Sequence, residues 1–202
     1  MSPPPTKRPP KPAGLSTAPS KHVSSSPRPP TTIAPTAVIA DKALLIGIHP
    51  IIIAENVVVH PHAKLISTYG SLTIGPGCII AERAVVGPTS GMRATILEAN
   101  VTVESGAVVE AAIVDEGTIV ETAAVLGAGA VVGSYCRISA SCGVIPDEVL
   151  PDFTVVFGAG QRRIDRTMER YESIREMRGK GQLQQVELLR RLIPSNARKW
   201  AS

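Results

Sequence analysis

From residue 96 to residue 144 the chain reads ILEANVTVESGAVVEAAIVDEGTIVETAAVLGAGAVVGSYCRISASCGV. Neither the two-residue alternation of a strand nor helical spacing fits this stretch, but a period of six does. Anchors fall at Ile96, Thr102, Val108, Val114, Val120, Leu126, Val132, Ile138 and Val144, all aliphatic except Thr102. Four residues after each anchor the side chain is small: Asn100, Gly106, Ala112, Thr118, Ala124, Ala130, Cys136 and Cys142.

The period extends upstream in triplets: Ile33, Ile39, Leu45; Ile53, Val59, Leu65; Ile74, Ile80, Val86. The steps between triplets are 8, 9 and 10 residues, counting the last jump to Ile96. Every irregularity follows the third hexad. That predicts a three-sided solenoid with loops extruded from one corner, built as about six coils of parallel strands roughly 4.8 Å apart. Large anchors fill the axis, and one coil cannot bury its own face, so stability requires stacking. The pattern resembles hexapeptide-repeat proteins. That resemblance implies an all-β solenoid fold class, a left-handed parallel β-helix, although the usual crossover rule would give the right hand.

Three regions follow. Residues 1–32 hold ten prolines and five Lys/Arg with no acid, and read as a disordered, Pro-rich basic leader. Residues 33–158 form the β-helix, with five basic and twelve acidic residues. Residues 159–202 carry eleven basic and five acidic residues and read as an amphipathic helical segment. One stripe runs Ile164, Met168, Tyr171, Ile174, Met177; Gly179 and Gly181 interrupt it; a second runs from Leu183 to Ile193 and stops at Pro194. This segment either folds back over the solenoid or docks on a partner chain. The net +4 and pI of 9.1 therefore describe the two ends and not the middle.

Composition excludes several classes. Aromatics are 3% of the chain, too few for stacking single-stranded nucleic acid. The acidic middle argues against a general DNA-binding surface, so no nucleic-acid partner is expected; a basic arm in the leader is the one exception. No apolar run reaches the length of a membrane span, so no membrane partner and an intracellular, cytoplasmic chain are expected. Cys78, Cys136 and Cys142 all occupy small-residue positions and read as core fillers.

Hexapeptide solenoids host acyl transfer and zinc-dependent hydration of carbon dioxide, and both need histidine. Beyond the leader's His22 there are only His49, His60 and His62. His60 is flanked on neighbouring coils by Ala40 and Ala81, and His62 by Lys42 and Arg83, which supply no metal ligand. The carboxylates Glu98, Glu104, Glu110, Glu116 and Glu121 fall on different faces. The expectation is therefore no catalytic, cofactor-binding or metal site, and not an enzyme. The alternative is a gamma carbonic anhydrase-like or acyltransferase protein, whose base could only be one of those three histidines.

Particular segments narrow this further: Ile33–Val38 (IAPTAV), Val59–Lys64 (VHPHAK), Ile74–Gly77 (IGPG), Val144–Pro146 followed by Thr154–Ala159 (TVVFGA), and Leu188–Pro194 (LLRRLIP). Over roughly residues 33–198 they resemble the hexapeptide-repeat subunits of dynactin. The resemblance implies a non-catalytic scaffold in the pointed-end subcomplex, supporting dynein-driven transport on microtubules and located on the cytoskeleton. The partners it implies are dynactin subunit 5, a pointed-end actin-related protein and a p62-type subunit, in a hetero-oligomer.

Overall fold

A computed structural model describes residues 28–91 and 93–200; the leader's residues 1–27 lie outside it. Three parallel sheets form the faces of a prism. The first stacks Thr31–Ile33, Ile51–Ile53, Leu72–Ile74, Thr95–Leu97, Ile113–Val114, Val131–Val132 and Val149–Leu150. The second stacks Val38–Ile39, Val58–Val59, Ile79–Ile80, Thr102–Val103, Ile119–Val120, Arg137–Ile138 and Thr154–Phe157. The third stacks Leu44–Gly47, Lys64–Ser67, Val85–Val86, Val108–Val109, Val125–Leu126 and Gly143–Val144. The architecture is a parallel β-solenoid of about six coils with a C-terminal helix.

The axis is filled by aliphatic residues from the strands, two each from Ile51–Ile53 and Leu72–Ile74, and Ile39, Leu65, Ile80, Leu126 and Ile138 are all buried. Each buried aliphatic side chain contributes about 1.5–3 kcal/mol before chain entropy is charged against it. In one coil the expected register is off by a residue. Leu97, Val103 and Val109 face the axis, whereas Ile96, Thr102 and Val108 face outward. The strict six-residue step is broken between Val109 and Val114, again after the third face of a coil. Both members of Ile96–Leu97 and Val108–Val109 are apolar, so sequence leaves the inward one ambiguous. Stacking decides it, because Leu97 pairs with Ile74 and Val103 with Ile80. The small fillers shift equally: Val101 and Ala107 are buried. Asn100 and Gly106 instead occupy corners at φ 58° and 71°.

The extrusions leave the corner between the third and first sheets. The longest, residues 87–94, is tied down by a Thr89–Glu110 hydrogen bond and an Arg93–Asp147 ion pair. Gly87 begins it at φ 124°, where a Cβ would stand 1.9 Å from the Ile66 carbonyl oxygen. No other residue fits there.

Beyond the last coil the chain departs from the expected all-helical segment. Gln161–Ile164 turns back as an antiparallel strand on Thr154–Phe157, closing the far edge of the second sheet. Helix α1 (Arg166–Arg170) is capped by Asp165, whose carboxylate accepts from the Thr167 and Met168 amides. Helix α2 (Glu172–Leu192) then runs unbroken through Gly179 and Gly181. Each glycine costs a helix about 1 kcal/mol, and anchors on both sides of the pair hold it. On one side the Arg175 guanidinium lies 5.8 and 5.5 Å from the Tyr135 and Phe153 ring centres. On the other, Val186, Leu189 and Ile193 pack on Val38, Val58 and Ile79. The helix thus folds back over the outer side of the second sheet. No helix among the described residues is long and apolar enough to cross a membrane.

Candidate functional site

The tail after α2 continues past the first coils. Ser195 makes an antiparallel bridge to Ala40. The Asn196 amide donates to the Ile39 carbonyl at 2.7 Å. Ala197 and Trp200 pack on the open end of the core beside Ile33. Between this tail and the corner joining the second and third sheets lies a groove of about 430 Å³. Its walls include Asp41, Lys42, His62, Glu82, Arg83 and Pro194.

The corner geometry follows from residue type. In His60-Pro61-His62-Ala63 the Ala63 amide donates to the His60 carbonyl at 3.3 Å, with Pro61 leading the turn and His62 at φ 64°. This is a type II turn, which favours proline second and a left-handed residue third. The next coil repeats it from Ala81 to Ala84, with Arg83 at φ 59°. The His62 amide donates to the Lys42 carbonyl at 3.1 Å, so Lys42, His62 and Arg83 rise one above another along the corner. Left-handed corners recur in this solenoid, for instance at Asn56, Ala123 and Ser141, so this conformation belongs to the fold and not to the groove.

His60 is half-buried on the turn that supplies the lining residues Pro61 and His62, and does not itself line the groove. Burial lowers its pKa below the ordinary histidine value, opposed by the charge of Glu82. The imidazole is therefore mainly neutral at pH 7, while the Glu82 charge favours its protonated form. A neutral imidazole on this turn can accept a proton, and the Lys42 and Arg83 cations in the groove can hold an anionic group. His49 lies elsewhere, in the corner between the third and first sheets, its amide donating to the Ser67 carbonyl.

The cysteines are buried and free. Burial pushes Cys78 up to about 12 and Cys136 up to about 11. Their thiols donate to the Glu98 and Pro151 carbonyls at 3.0 and 3.3 Å. Among the described residues, no three of His, Cys, Asp or Glu group so as to hold a metal ion.

No known family profile matches the chain. Solved structures do. A Bacillus cereus protein assigned as an acetyltransferase superposes at TM-score 0.52 with 20% identity, over 78% of this chain and 92% of that one. A hexapeptide transferase family protein from Anaplasma phagocytophilum superposes at TM-score 0.56 with 18% identity, over 80% and 91%. The fold is the left-handed hexapeptide β-helix. These likenesses overturn the expectation that the chain is not an enzyme, because the solenoid it shares is carried by transferases. A zinc centre needs its whole ligand set, whereas acyl transfer needs one base beside a cleft. Sequence inspection placed His60 and His62 on one corner and identified their stacked neighbours. It missed Glu82 and the wall formed by Ile193 and Pro194. No local signal reports that a tail returns across more than a hundred residues.

Proposed function

We propose that the chain is an acyltransferase of the hexapeptide-repeat kind working in the His60 groove. The observation that carries this is the neutral, half-buried His60 imidazole, in the field of Glu82, on the turn that lines a groove walled by Lys42, His62, Glu82 and Arg83. His60 takes the proton from an acceptor hydroxyl or amine as that atom bonds to the carbonyl carbon of an acyl thioester. The carbon–sulfur bond breaks, and the leaving thiolate recovers the proton from the imidazolium. Glu82 stabilises the imidazolium between the two steps, and Lys42 and Arg83 hold an anionic donor. The test is release of free thiol from an acetyl thioester by the full chain with pooled hydroxyl and amine acceptors. Turnover is expected to fall about a hundredfold or more in His60→Asn. Absence of thiol release above buffer, or an unaffected variant, contradicts the reading.

A second reading rests on a different observation. The outward rungs Ile52, Val125 and Val149 leave apolar side chains exposed on the first and third sheets, which α2 does not cover. With the closing segments that resemble dynactin subunit 6, this supports a place in the dynactin pointed-end assembly in the cytoplasm, beside dynactin subunit 5 and an actin-related protein. Co-expression with dynactin subunit 5 and size exclusion tests it; two separate peaks at micromolar concentration contradict it.

A further inference from the structure

Helix α2 has a second apolar stripe that its own solenoid does not cover. Val186 is buried on the sheet side, yet Met177, Leu188 and Leu192 are 71, 57 and 67% exposed, and Ile174 is 37% exposed. Ile174, Met177, Gly181, Leu188 and Leu192 lie along one line of the helix, with steps of 3, 4, 7 and 4 residues, turned away from the line that packs on Val38, Val58 and Ile79. Along one flank the charges alternate in sign: Glu176, Lys180, Glu187, Arg191. Glu187 and Arg191 already pair within the helix at 2.6 Å, both largely exposed.

That order of signs is self-complementary in one orientation only. When two copies of α2 lie antiparallel, Glu176 faces the second copy's Arg191 and Lys180 faces the second copy's Glu187. The same alignment sets Ile174 against Leu192 and Met177 against Leu188. In a parallel pair the two charged flanks lie on opposite sides of the seam and do not meet. The flank carries no net charge, so it offers nothing selective to a partner helix of a single sign. From these patterns we infer that α2 is a homodimer surface, paired antiparallel with a second copy of this chain, independent of the chemistry assigned to the groove. A helix of 21 residues is about 31 Å long, and its contact area sits at the small end of specific interfaces, so the dimer is reversible.

Sedimentation of the full chain from low-micromolar to sub-millimolar concentration tests this. The wild type is expected to pass from monomer to dimer. Met177→Glu with Leu188→Glu is expected to hold it monomeric without changing its melting temperature, since both side chains are exposed. Lys180→Glu alone is expected to weaken the dimer about tenfold, and adding Glu187→Lys to restore it. A chain monomeric throughout, a dimer indifferent to the double glutamate, or a charge swap that fails to restore association each overturns the proposal.

Discussion

The side-chain amide of Asn196 donates to the Asp41 carboxylate at 2.7 Å, joining the tail of the chain to its first coil across 155 residues of sequence. With the Ser195 bridge to Ala40 and the Asn196 amide on the Ile39 carbonyl, this contact covers the strand edge at which the stack of the second sheet begins. An uncovered edge is a template for unwanted pairing, and an uncovered end leaves Ile33 against water. Ile193 and Pro194, immediately before them, build one wall of the candidate groove, so the cap and the candidate site adjoin on one segment.

Deleting the residues from Ser195 onward is expected to cost about 1–3 kcal/mol, from the lost bonds and the exposed core end. Hydrogen exchange should rise in residues 31–47 and stay unchanged from residue 113 to 156. Uniform loosening of all coils would contradict the capping role.

The register of the fourth coil yields a paired test. Leu97 is wholly buried and Ile96 faces outward, so Leu97→Ala should cost about 2–5 kcal/mol in urea unfolding and Ile96→Ala less than about 1 kcal/mol. The reverse order would restore the frame read from the strict six-residue period.

That pair also marks where sequence reading stops. The three-sided coil, the corner that extrudes loops and the filler role of Cys78, Cys136 and Cys142 are all legible, because inward positions admit only aliphatic or small residues. Where two adjacent residues are both apolar, as at Val108 and Val109, composition no longer separates axis from surface; the hydrogen-bonded register across coils does. Helix α2 was visible in its stripe, but its continuity through Gly179 and Gly181 depends on Arg175 and Val186 finding the sheet. The groove was half legible for the same reason. His60 and His62 are local features of a turn, and the tail that encloses them is a long-range contact.

Gly87→Ala should be among the most damaging single-methyl changes. The new Cβ meets a backbone carbonyl oxygen of the preceding coil at 1.9 Å, and the residue sits at φ 124°. A loss of about 2 kcal/mol or more is expected in denaturant unfolding, against a gain of up to about 1 kcal/mol for Gly179→Ala inside the helix, where a Cβ meets nothing within 4 Å.

The thiols should be silent in the native state. Burial raises Cys78 to about 12 and Cys136 to about 11, and the thiolate is the reactive form. Modification by an aromatic disulfide reagent should therefore follow the rate of unfolding. Rapid labelling of the folded chain would show that these side chains reach solvent.

Stability should depend on pH through His60. Its folded pKa lies below the unfolded value of about 6.5, so between the two the unfolded chain binds more protons. Stability is then full above the unfolded pKa and falls as pH drops through the folded one. His60→Asn should flatten that fall in thermal melts between pH 7.5 and about 5; an unchanged slope would place the titration elsewhere.

The chemistry assigned to the groove is tested most directly by the pH dependence of acetyl thioester cleavage, measured for the wild type and for His60→Asn. The rate should rise with pH through a single ionisation below the usual histidine value and level off by neutrality, with that limb missing in the variant. A rate that keeps climbing with hydroxide, or the same profile in both proteins, would contradict a catalytic base at His60.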